Sequence, residues 1–200
     1  MNRFMRAELS LAELILSGVI TNGDFQFEVS SGLQRPLLNT AFRFGTRGQR
    51  GCTTLLVHSS RGVWWAHFWE VPSFTYLSPV DGPIFYERQF NSDVIQVLEN
   101  GCIFPQEPGR ISGLGCYASD EEGQPGWFKE EYHPRAMIFT PKPAVRHLNK
   151  QDPIAYPEQI QRMKDKVREL IPGIDIRVKP YNTEWALQDN PAYAKGKLLF

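Results

Sequence analysis

Two runs rich in β-branched and aromatic residues, 52–58 (CTTLLVH) and 62–69 (GVWWAHFW), flank the short interruption Ser59-Ser60-Arg61-Gly62. Such side chains fit a pleated surface, and a Ser/Gly-containing break lets the chain reverse, so the pattern predicts a β-hairpin. In a hairpin with a two-residue turn, the numbers of facing residues sum to a constant odd value. If Ser59-Ser60 is the turn, Cys52 lies directly across from His67. If Ser60-Arg61 is the turn, Thr54 faces His67 and Cys52 is its diagonal neighbour. Both registers put the thiol and the imidazole on one face. Directly opposed Cβ atoms are about 4.5–5.5 Å apart, and diagonal neighbours roughly 7–8 Å. A three-residue turn or a bulge would break this parity.

That pairing has chemical content. A thiolate is the nucleophile, and an ordinary thiol with a pKa near ~8.5 is mostly protonated at neutral pH. A neighbouring imidazole can take its proton and later return it to a leaving group. Cys52 and His67 are therefore the candidate nucleophile and base. Gly51 leaves room for a carbonyl substrate and tolerates unusual backbone angles. Backbone N–H groups around Gly51, Cys52 and Thr53 are candidates to stabilise a developing oxyanion. Trp65 and Trp69 share the face of His67 and are candidates for a pocket wall sized for glutamine, although core packing alone explains them more simply. Glu70 is a candidate to orient a loop or bind substrate, but its parity opposes that of His67 and it is not expected to complete a triad. Asn39 and Thr40 are the weaker candidates for a group reaching in from a neighbouring strand.

The rest of the chain reads as short strands with a few helices. Residues 24–29 (DFQFEV) alternate as a half-buried strand after Asn22-Gly23. Residues 41–44 are a short strand candidate before the Gly-rich turn 45–51. Residues 71–83, punctuated by Pro72, Pro79, Gly82 and Pro83, read as a loop. Val94, Ile95 and Leu98 predict a helix over 91–99, capped by Asn91 or Ser92 and stopped by Asn100-Gly101. A long surface excursion is expected at about 103–133. Residues 136–140 (AMIFT) and 174–178 (IDIRV) read as strands, and 196–200 as a final one. Residues 157–171 give the clearest helix, with Ile160, Met163, Val167, Leu170 and Ile171 on one stripe. The elements do not alternate strictly as βαβ. The expected fold is α+β, a mainly antiparallel β-sandwich with two or three flanking helices, in one domain over 1–200.

Composition narrows the function classes. The 200 residues carry 22 Lys+Arg and 22 Asp+Glu, a balance that gives no footprint for nucleic acid. An apolar content of 42% excludes a disordered chain. No apolar run reaches the ~18 residues of a membrane span. Glu8 and Glu13 interrupt the apolar stretch near the N-terminus, so no signal peptide is expected. A cytoplasmic protein and a delivered effector whose leader has been removed both remain open. The three cysteines, Cys52, Cys102 and Cys116, form no CxxC pair, and His58, His67, His133 and His147 lack metal-site spacing. No cofactor or metal is expected. In an oxidising compartment Cys102 and Cys116 could pair; in a reducing one all three would be thiols.

Gly51-Cys52-Thr53 at a strand start, with His67 on the next strand, resembles the catalytic core of the cytotoxic necrotizing factor deamidases. Those bacterial toxins deamidate, and can transamidate, a glutamine on host Rho-type GTPases. The wider stretch GCTTLLVHSSRGVWWAHFWEVPSF is similar to a group of uncharacterised fungal proteins that share Gly-Cys-Thr-Thr, a hairpin ending in Gly-Val, and His-x-Trp-Glu-x-Pro-x-Phe. SDVIQVLENG, IPGIDIRVKPY and GKLLF extend that similarity over most of the chain. The toxin resemblance covers only the hairpin region. It implies Cys52 as nucleophile, His67 as base, a protein substrate such as a small GTPase, and a two-sheet sandwich. The toxins carry Leu-Ser before Gly-Cys where this chain has Gln49-Arg50. Their third catalytic element is a backbone carbonyl that orients the histidine, which no side-chain motif can locate.

The leading expectation is a thiol-dependent amidohydrolase that deamidates a protein glutamine. The alternative is a non-catalytic β-sandwich binding or effector protein in which Cys52 and His67 are structural. A papain-type protease is disfavoured, because such enzymes place the cysteine at a helix start, with the histidine more than about a hundred residues away.

Overall fold

A computed structural model describes residues 13–14, 19–21, 24–26, 30–38, 44–47, 51–78, 82–85, 87–99, 113–118, 125–143, 151–183 and 197–199. Asn39, Thr40, Cys102 and His147 lie outside these residues, as do 1–12, 27–29 and 41–43. In chain order the strands are β1 (Glu13–Leu14), β2 (Val19–Thr21), β3 (Asp24–Gln26), β4 (Ser30–Pro36), β5 (Phe44–Arg47), β6 (Thr53–His58), β7 (Gly62–Phe68), β8 (Tyr76–Ser78), β9 (Gly82–Ile84), β10 (Arg135–Pro141), β11 (Asp175–Tyr181) and β12 (Lys197–Leu199). The helices are α1 (87–99), α2 (Gly115–Ala118) and α3 (Pro157–Leu170).

The central sheet has five strands in the order β11-β10-β6-β7-β4. Three of its junctions are antiparallel. β10 and β11 run parallel and are connected through α3. The hairpin β6–β7 pairs Thr53 with Phe68, Thr54 with His67 and His58 with Val63. Ser59 N–H donates to the Gly62 carbonyl (3.0 Å), so the turn is Ser60-Arg61. Of the two registers open from the sequence, this is the one with Cys52 diagonal to His67. The Ser59 hydroxyl accepts from the N–H groups of Arg61 (3.0 Å) and Gly62 (3.3 Å) and donates to the Trp127 carbonyl (2.6 Å). A serine at this position satisfies the turn's backbone locally.

Strand alternation sends the two faces of the sheet to different partners. Leu55, Val57, Trp64, Ala66, Phe68, Ala136 and Ile138 form the main core with Val94 and Leu98 of α1 and Ile160, Met163 and Val167 of α3. Each buried Leu, Val, Ile, Phe or Met side chain among them contributes roughly 1.5–3 kcal/mol by leaving water. Pro157, with its fixed φ, opens α3 at the position where its missing N–H costs nothing. On the other face, Leu56, Val63, Trp65 and Phe44 form a smaller cluster with Leu33. Phe44, at the start of β5, meets the Trp65 ring edge-on at 6.2 Å. The expected α+β class holds, with a mainly antiparallel sheet and helices on one face. The expectation of a two-sheet sandwich reaches no further than the Phe44–Trp65 contact.

Several local readings need correction. The helix expected at 91–99 starts at Glu87 and contains a π turn over Asn91–Ile95. Its early start is secured by Arg162 of α3, which donates to Glu87 (2.9 Å) and Asn91 (2.5 Å) and lies 4.9 Å over the Phe90 ring. The loop at 71–83 contains β8 and β9, which pair with each other. β4 was not expected at all: Ser-Ser-Gly and a proline suit a loop, but an edge strand tolerates both. Much of the described part of the excursion at 103–133 is packed inward, although Pro125, Glu130, Glu131 and His133 are exposed. Leu114, Cys116, Tyr117 and Phe128 are buried, and Trp127 stacks on Tyr117 at 4.5 Å. Cys116 is in a disulfide, whereas Cys52 is a thiol.

Candidate functional site

The site begins where the ladder ends. β6 pairs from Thr53 onward, so Gly51 and Cys52 precede the regular strand. Gly51 has φ = 127°, a conformation that side-chain-bearing residues rarely adopt. A Cβ built there would lie 2.0 Å from Glu70 Oε2 and 2.3 Å from Glu70 Cδ. Backbone angle and a carboxylate packed on the Cα both require glycine.

Glu70 is buried, and its Oε1 accepts a hydrogen bond from the Tyr156 hydroxyl (2.6 Å). Its carbonyl accepts the N–H groups of Phe74 (2.8 Å) and Thr75 (2.9 Å). Ser73 in the same turn donates to Asp93 Oδ2 (3.2 Å), which Gln89 also reaches (2.6 Å). The segment after β7 is thereby fastened to α1 and α3. On the other side, Tyr181 at the end of β11 uses its hydroxyl twice. It accepts the Gly51 N–H (3.1 Å) and donates to the Cys52 carbonyl (2.6 Å).

Cys52 is half-buried. Two residues on, Thr54 pairs with His67, and Cys52 lies one residue before the start of β6. His67 is 2% exposed and lies edge-on to Trp65, ring centres 6.1 Å apart. Burial deprives the imidazolium of solvation and pushes its pKa down to about 4. At neutral pH His67 is a neutral imidazole with one nitrogen able to accept a proton.

The remaining candidates fall as follows. Thr53 turns to the helix-covered face, where its hydroxyl is 3.2 Å from that of Thr140; only its backbone stays beside Cys52. Trp65 is fully buried in the small cluster with Phe44, and Trp69 is half-buried just beyond β7. His58 lies across from Arg135; burial, then that charge, holds its pKa below the ordinary value. His133 is exposed at the end of a 3₁₀ turn. Among the described residues no group of three His, Cys, Asp or Glu is placed to hold a metal ion, and no helix is long and apolar enough to cross a membrane.

Tyr156 and Tyr181 are the participants that sequence reasoning missed; Glu70, named from the sequence as a residue that could orient a loop, packs on Gly51. Glu70 carried a signal: a carboxylate inside HFWEVP is enclosed by apolar neighbours and needs a partner. Tyr181 carried none, because its contact spans 130 positions. Compared with protein-family models, curated proteins and solved structures, the chain finds no match.

Proposed function

We propose that the protein is a thiol-dependent amidohydrolase that deamidates a glutamine side chain, with Cys52 as nucleophile and His67 as base. The observation that supports this reading is the hairpin register, which pairs Thr54 with His67 and so puts the half-buried Cys52, two residues before Thr54, close in the chain to the partner of a neutral imidazole. Cys52 attacks the carboxamide carbon while His67 takes the thiol proton. The tetrahedral intermediate collapses, the C–N bond breaks, and His67 returns the proton so that ammonia leaves. Water, deprotonated by His67, then cleaves the thioester to give glutamate and restore the thiol. The Gly51 N–H is engaged by Tyr181, so Gly51 serves the site through its conformation.

The resemblance to the toxin deamidases supports a protein substrate, with Rho-type GTPases as the first class to try. The test is mass spectrometry of such GTPases after incubation with wild-type or Cys52→Ala protein. Conversion of one glutamine to glutamate by wild type alone is the expected result. Equal conversion by both proteins would exclude the mechanism.

One observation favours a second reading. His67 is sealed by its neighbours and disfavours protonation, as a structural histidine in a packed sheet would. A non-catalytic effector would then retain the fold, and neither protein would convert any GTPase.

A further inference from the structure

We infer that Tyr181 is a positioning residue for Cys52, an inference that rests on the deamidase reading above. The ladder between β6 and β7 stops at Thr53–Phe68, and the one between β6 and β10 stops at Thr54–Phe139. Cys52 therefore lies outside these ladders. The Tyr181 hydroxyl accepts from the Gly51 N–H and donates to the Cys52 carbonyl, so one oxygen bridges the backbone on both sides of the Cys52 Cα.

Tyr181 is itself well anchored. It is in register with Pro141 across the parallel β10–β11 pair, and its carbonyl accepts the Lys142 N–H (2.8 Å). Gly51 is held from the other side by the Glu70 carboxylate, which Tyr156 fixes. Tyr156 and Tyr181 flank α3 and β11, one just before the helix and one at the strand end. The unit formed by β10, α3 and β11 thus sets where the thiol of a distant hairpin sits. A nucleophile must be held in near-attack geometry, and small displacements lower turnover steeply.

Tyr181→Phe removes one oxygen and leaves the ring. Two readouts are taken: alkylation of Cys52 by iodoacetamide, located by peptide mass spectrometry, and ammonia release from a Rho-type GTPase. The expected result is alkylation about ten-fold faster and ammonia release about ten-fold slower, because a loosened thiol meets reagent more freely and substrate less productively. Unchanged alkylation would overturn the inference, as would faster alkylation with undiminished ammonia release. If wild type releases no more ammonia than Cys52→Ala, the deamidase reading falls and the positioning role with it; that failure shows before Tyr181 is altered. The wild type also gives a check that needs no variant to fold. The Gly51 amide is expected to exchange about a hundred-fold more slowly than in an open chain, and exchange at the open-chain rate would overturn the clamp.

Discussion

His67 shows how much one residue's surroundings change its chemistry. An imidazole ordinarily titrates near 6.5, but here burial brings the value to about 4. Between those values the unfolded chain binds a proton that the folded protein does not. Stability from this group is therefore complete above the ordinary value and is lost as the pH falls toward 4. The difference corresponds to about 3 kcal/mol. Urea unfolding at pH 7 and pH 4 should show a loss of that order in wild type and a clearly smaller one in His67→Leu. Equal losses in the two proteins would mean that the ring is solvated. The low value has a second consequence: His67 remains a proton acceptor in acid where an exposed histidine would already be a cation.

At the scale of elements, the hairpin was legible because composition and turn chemistry agree along residues 52–69. The sequence left two registers, and the Ser59 hydroxyl, bonded to the Arg61 and Gly62 amides, accompanies the one adopted. α3 was legible for a similar reason, since Ile160, Met163 and Val167 recur at helical spacing and are buried. β4 was not legible, because its pairing is supplied by the open edge of β7 and not by its own residues. The segment around Trp127 was also misread: its glycines and prolines suggested a surface loop, whereas its aromatic rings pack against the hairpin. A Cβ on Gly62 would come within 2.4 Å of the Trp127 ring. Gly62→Ala should therefore cost about 2 kcal/mol in chemical denaturation and alter tryptophan fluorescence. A change within about 0.5 kcal/mol, the range of ordinary surface substitutions, would show that Trp127 does not rest on the hairpin.

Across the whole molecule, the candidate site is assembled from parts far apart in sequence. The register that pairs Thr54 with His67 was one of the two legible in the sequence, because a single hairpin carries both strands. Tyr156 and Tyr181 became apparent only in the fold, which brings Tyr156 to Glu70 and Tyr181 to Gly51 and Cys52. Glu70 keeps the parity read from the sequence: it bonds Tyr156, which packs in the core with Trp64, Ala66 and Phe68 and not with His67. The same assembly bonds the backbone at Cys52, buries His67 and engages the Gly51 amide. The pH dependence of Cys52-dependent ammonia release, measured as wild type minus Cys52→Ala, tests this arrangement most directly. The account predicts a rate that holds from pH 7 to pH 5 and falls with a midpoint near the His67 value of about 4. A midpoint near 6.5, that of an ordinary solvated histidine, or no difference between the two proteins at any pH, would contradict it.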